Sequence, residues 1–81
     1  VDGFAEIIEA EALETSPLVG NAISEVKFPP NVIVGAIVRD DAVITPRSDT
    51  VIRTDDIVIL LAASKSVKGA ERLFSVQLEF F

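Results

Sequence analysis

Two uninterrupted apolar runs dominate the chain, Val32-Ile33-Val34-Gly35-Ala36-Ile37-Val38 and Ile57-Val58-Ile59-Leu60-Leu61-Ala62-Ala63. Both are rich in β-branched residues, which suit a pleated surface, and both are bounded by residues that favour turns. Pro30 stands before the first run, Arg39-Asp40-Asp41 follows it, and Asp55-Asp56 leads into the second. Unbroken apolar character over this length predicts strands in the interior of a sheet. Ala42-Val43-Ile44-Thr45 resumes the pattern directly after Asp41, so it should pair with the first run as an antiparallel hairpin turning at Asp40-Asp41 and closed by Pro46. Arg47 to Asp56 carries one brief apolar pair, Val51-Ile52, among polar residues, and is expected to be a loop with at most one short strand.

The remaining segments are less one-sided. Phe4 to Leu13 has the Ala and Glu content of a helix, yet Glu9 and Glu11 alternate with Ile8, Ala10 and Ala12, and the alternation favours a half-exposed strand. Ser16-Pro17 ends it, because proline moves the preceding residue away from the helical region. Val19, Ala22, Ile23 and Val26 then fall at helical spacing with Asn21, Ser24 and Glu25 between them, which predicts a short helix ended by Phe28-Pro29-Pro30. A second helix is expected over Ser64 to Ser75, with Val67, Ala70, Leu73 and Phe74 on its apolar side, and an alternating edge strand over Val76 to Phe81. Gly69 weakens that helix unless another part of the chain packs closely against it. The order is β-α-β-β-β-α-β, a small α+β domain with an antiparallel sheet and helices on one face.

Composition narrows the chemistry. With 81 residues, 49% hydrophobic and 25% charged, the chain is one domain, 1–81. His, Cys, Met, Trp and Tyr are all missing, which removes imidazole acid-base catalysis, thiol nucleophiles and structural zinc. Ser16, Ser24, Ser48 and Thr50 therefore have no histidine to activate them, and no catalytic residue is expected. A net charge of −6 argues against nucleic acid as a partner. No apolar run reaches the roughly 20 residues of a membrane span, which points to a soluble, intracellular protein. The chain opens on Val1 and not on Met, which suggests a piece of a longer protein. A domain this short buries only about 60–65% of its unfolded surface, so a homodimer would help it, and the stripe Val19, Ala22, Ile23, Val26 is the candidate interface.

Asp40-Asp41, Asp49 and Asp55-Asp56 are the densest carboxylates. They lack the ligand spacing of a calcium loop, so no metal site is expected, and their commoner role is accepting backbone amide hydrogen bonds in turns. Asp56, directly before a strongly apolar strand, is the candidate for fixing the entry turn. Arg39, Arg47 and Arg53 flank the same region; they either hold an anion or pair with these aspartates. Gly20 and Gly35 are isolated, so the chain offers no glycine-rich phosphate cradle and should not bind NADH.

The segments Ser16-Pro17-Leu18-Val19-Gly20-Asn21-Ala22-Ile23-Ser24-Glu25-Val26, Pro30 to Asp40, Ile44-Thr45-Pro46 and Asp49 to Val58 together resemble the C-terminal domain of RCK proteins, also called the TrkA-C domain. The likeness spans roughly Glu6 to Phe81. It implies a strand at the start and a non-enzymatic regulatory role in potassium ion transport, with the domain dimerising beside an NAD(H)-binding Rossmann domain that lies outside this chain. It also implies a cytoplasmic location, peripheral to the inner membrane through a potassium transporter subunit. The alternative is the same sensing module attached to an antiporter or anion permease. In such domains a small anionic ligand, cyclic di-AMP, can bind at the dimer interface, and the matching positions here are Asn21, Pro30, Asn31 and Arg39. Asp41 and Asp55 stand where the family often has glycine.

Overall fold

The computed structural model describes residues 4–74. Four strands are formed: β1 (Ala5–Glu11), β2 (Val32–Arg39), β3 (Ala42–Ile44) and β4 (Ile57–Ala63). One α-helix, α1 (Val67–Phe74), and two 3-10 turns, Ile23–Glu25 and Ser64–Ser66, complete the element list. The sheet order is β1-β4-β2-β3 with every pair antiparallel, so the two unbroken apolar runs are its two central strands. The α+β class and the antiparallel sheet follow the sequence reading. The edge strand expected over Val76 to Phe81 lies outside the described residues.

Leu18, Ile37, Ile52, Val58, Leu60 and Ala70 are buried in one cluster on a single face of the sheet. Alternation along β4 sends Val58 and Leu60 into it and buries Ala62 on the same side. In β2 the register shifts between Val34 and Ala36, leaving Gly35 as a bulge residue. That extra residue lets Val32 and Val34 on one side of it, and Ile37 on the other, all meet the core. Burial is one-sided, however. Leu61 is 44% exposed and Ile33 62% exposed, so the interior strands expected from their composition are covered on one face alone.

The helix expected over Val19 to Val26 does not form; apart from the 3-10 turn Ile23–Glu25 the segment is turn and extended chain. Its amides are taken by the loop that follows β3. Gly20, Ile23 and Ser24 donate to the carbonyls of Ile52, Thr50 and Ser48 at 2.8–2.9 Å, Ile52 donates back to Asn21 at 3.0 Å, and Ala22 bridges Val51. Long-range bonds thus replace the i to i−4 bonds of a helix. Gly20 at φ +90° sits in a region that breaks helical geometry and that glycine tolerates best. The second helix begins through a 3-10 turn, and the buried Ser66 hydroxyl donates to the Pro30 carbonyl at 2.7 Å, tying the helix to the entry of β2. The close neighbour at Gly69 is Pro29, whose ring carbon would lie 3.0 Å from an added Cβ.

Adjacent residues in β4 give a direct check of this one-sided burial. Leu60→Ala should cost about 2–5 kcal/mol in chemical denaturation, because it empties a fully enclosed site. Leu61→Ala in dilute solution should cost well under 1 kcal/mol. Equal losses would contradict the register.

Candidate functional site

Asp56 lies at the entrance to β4 and Arg39 at the exit of β2, and the antiparallel pairing of these strands brings them together. Arg39 donates from Nε to Oδ1 of Asp56 at 2.8 Å and from Nη2 to Oδ2 at 2.7 Å, a two-point contact. The Arg53 amide donates to the same Oδ2 at 2.9 Å, closing the turn before β4. Arg39 Nη2 also donates to the Val51 carbonyl at 2.8 Å. The Asp56 side chain is 1% exposed and that of Arg39 18%. Burial pushes the Asp56 carboxyl up, but the Arg39 hydrogen bonds, the Arg53 amide and the two nearby positive charges outweigh it. The carboxyl accordingly lies below its ordinary value of 3.8.

The turns around this pair run through left-handed backbone. Asp40 (φ 50°), Asp41 (φ 65°) and Asp55 (φ 73°) all have positive φ. Two consecutive positive values make Asp40-Asp41 the corner of a two-residue primed hairpin, the twist that suits antiparallel strands. Aspartate tolerates this region better than most side chains, which explains how Asp41 and Asp55 occupy positions where glycine is the easier choice.

The positions matched to a ligand site are dispersed in one copy of the chain. Asn21 donates from its side chain to the Pro17 carbonyl at 3.1 Å and lines a hollow of about 170 Å³ with Leu18, Glu25 and Val26. The Pro30 carbonyl accepts the Ser66 hydroxyl, and Asn31, at φ 65°, accepts the Ala63 amide at 2.9 Å. Asn31 and Arg39 stand at opposite ends of β2, roughly 25 Å apart at a strand's rise. Arg39 is also engaged by Asp56 and Val51. Of the stripe Val19, Ala22, Ile23, Val26, all four are half-buried, and Val19, Ile23 and Val26 pack on the core. A cleft of about 320 Å³ that sequence reasoning missed opens beside them, between Ile23, Phe28, Val32, Ile33 and Pro46, with Arg47 at its rim. Its walls come from segments distant in sequence, so no local pattern announces it. Among the described residues, no three carboxylates are grouped to hold a metal ion.

Fold and site together define a small α+β module locked by a buried ion pair, with shallow apolar clefts. The chain belongs to the TrkA-C domain family, whose model matches residues 7–75. It is 48% identical over all 81 residues to the Trk system potassium uptake protein TrkA of Azorhizobium caulinodans. Over 70 residues, 86% of the chain, it is 47% identical to a TrkA homolog of Methanosarcina mazei. It spans 18% and 16% of the length of these two curated relatives. A solved RCK domain with cda superposes with a TM-score of 0.72 at 24% identity, covering 83% of this chain and 96% of that one.

Removing the Asp56 carboxylate strands a largely buried guanidinium, so Asp56→Ala should cost about 2–4 kcal/mol by thermal or urea unfolding. Asp49→Ala, in an exposed part of the loop, should cost less than 1 kcal/mol. Because the folded carboxyl is lowered, its stabilisation is complete above about pH 4 and is lost as pH falls through the folded value. Asp56→Asn should therefore flatten the acid limb of a stability-against-pH curve, and an unchanged limb would show that the pair is not ionic.

Proposed function

We propose that this domain is a regulatory module of a Trk-type potassium uptake protein, acting by self-association and by response to a small anionic ligand. The observation that carries the reading is the match to Trk potassium uptake proteins over the whole chain at close to half identity. In this reading the longer protein binds NAD(H) on a separate Rossmann domain and works in the cytoplasm, docked on the membrane through a potassium transporter subunit. No described helix is long and apolar enough to span a bilayer itself.

Two features support a non-catalytic role. Arg39 and Asp56 satisfy one another through a two-point contact, in a shallow hollow lined also by Asp40, Arg53, Thr54 and Asp55. The chain also contains no His or Cys. A ligand that touches both Asn31 and Arg39 needs two copies of the domain, since one copy holds them at opposite ends of a strand. Cyclic di-AMP, found with such domains by family resemblance, is the candidate, and the net charge of −6 weakens its binding.

The test is potassium-limited growth of an uptake-deficient bacterium carrying the full-length protein. Deleting this domain should abolish or deregulate uptake, and normal regulated uptake without it would overturn the proposal. Calorimetry on the isolated chain should be flat with NADH and show at most weak heat with cyclic di-AMP. Tight binding that survives Arg39→Ala would remove Arg39 from the site.

A further inference from the structure

The outer edge of β2 is only half paired. β3 runs beside Ile37, Val38 and Arg39, and the chain then turns off at Pro46, which has no amide to donate and cannot prolong a ladder. Among the described residues no strand continues along this side from Val32 to Ala36. The Asn31 carbonyl accepts the Ala63 amide, so the backbone of Asn31 faces β4. Strand alternation turns Ile33 the same way and sends the amides and carbonyls of Val32 and Val34 to the open side. The bulge at Gly35 then shifts the phase by one, which lets Ile37, three positions beyond Val34, face outward again toward β3.

The cleft of about 320 Å³ lies along this opening. Ile23, Phe28 and Pro46 give it apolar walls, Val32 and Val34 supply the edge backbone, and Arg47 stands at the rim. Arg47 is exposed and forms no ion pair among the described residues. Donors and acceptors repeating at a strand's spacing are matched by another extended backbone, and alternate side chains of that backbone would enter the apolar walls.

We propose that the open edge of β2 and this cleft bind a short extended peptide carrying a carboxylate, added to the sheet as a strand in line with β3. The free edge spans roughly 13 Å at a strand's rise, which limits the contact to about four residues. Arg47 supplies the counter-charge, and the net charge of −6 restricts the peptide's acid to a single group. The site goes beyond the ligand response and self-association proposed above and depends on neither.

Amide hydrogen exchange of the chain, read by nuclear magnetic resonance, tests this with an acetylated hexapeptide of alternating valine and threonine that ends in a free carboxylate. At about 1 mM peptide, enough to fill a weak site, the Val32 and Val34 amides should exchange about tenfold more slowly, while those of Ile33 and Ile37, already within the sheet, stay as they were. Methylating one alternate set of peptide nitrogens should abolish the protection, and methylating the other set should not, because only one set faces β2. Arg47→Glu should weaken the peptide about tenfold and leave its terminal-amide form unaffected. The methylated peptides leave the protein untouched, so they decide the matter even if Arg47→Glu disturbs the loop. No added protection at Val32 and Val34, or equal effects of the two methylated sets, overturns the strand addition. Slow exchange at both amides before peptide is added also overturns it, by showing the edge already covered by a second copy or another stretch of the chain. An Arg47→Glu chain that binds the carboxylate peptide as well as the wild type does overturns the assignment of the acid.

Discussion

A carboxylate taken out of water must be compensated where it sits, and the compensation of Asp56 organises the sheet. Its two oxygens hold the end of β2 through Arg39 and the turn before β4 through the Arg53 amide, while Arg39 reaches on to the Val51 carbonyl. The backbone of the same turn is tied to the exit of β1, with Ala12 donating to Asp56 and Asp55 donating to Ala12. Three strands and the long loop therefore converge on the Asp55-Asp56 turn, two of those strands through the Asp56 side chain itself. Because β4 pairs with β1 on one edge and β2 on the other, a slip at its entrance would misalign both ladders at once.

That lock also explains the irregular half of the molecule. Once Val51 and Ile52 are held by Arg39 and the core, the neighbouring loop presents carbonyls that Gly20, Ile23 and Ser24 can reach. The segment gives up helical bonds for these and keeps its apolar side chains inward. Two of the molecule's shallow recesses lie along this half-extended segment, one of them against β2.

Strand positions were legible because β-branched runs bounded by Asp and Pro have few alternatives, and the hairpin at Asp40-Asp41 followed from the short polar gap. The Val19–Val26 stripe misled because spacing of three and four residues reports which side chains point inward, not where the amides bond. Asp56 was legible as a turn residue from its place before an apolar strand, whereas its partner stands 17 positions earlier and only the strand pairing selects Arg39 from three nearby arginines. The Gly35 bulge had no signal, since an all-apolar strand hides a shift of phase. The same property concealed the open face: Leu60 and Leu61 look alike in a sequence, though one is enclosed and the other half in solvent.

The connectivity has a kinetic consequence. The β2–β3 hairpin closes over a two-residue turn, but among the described residues the first strand pairs with the last of the four, with Ile7 opposite Leu61. Most of the chain must already be ordered before that ladder can zip, so the entropy of closing a long loop falls late in folding. The domain should fold more slowly than a helical bundle of its length, and until β4 arrives its neighbours β1 and β2 each wait with an unpaired edge that can be captured by another molecule.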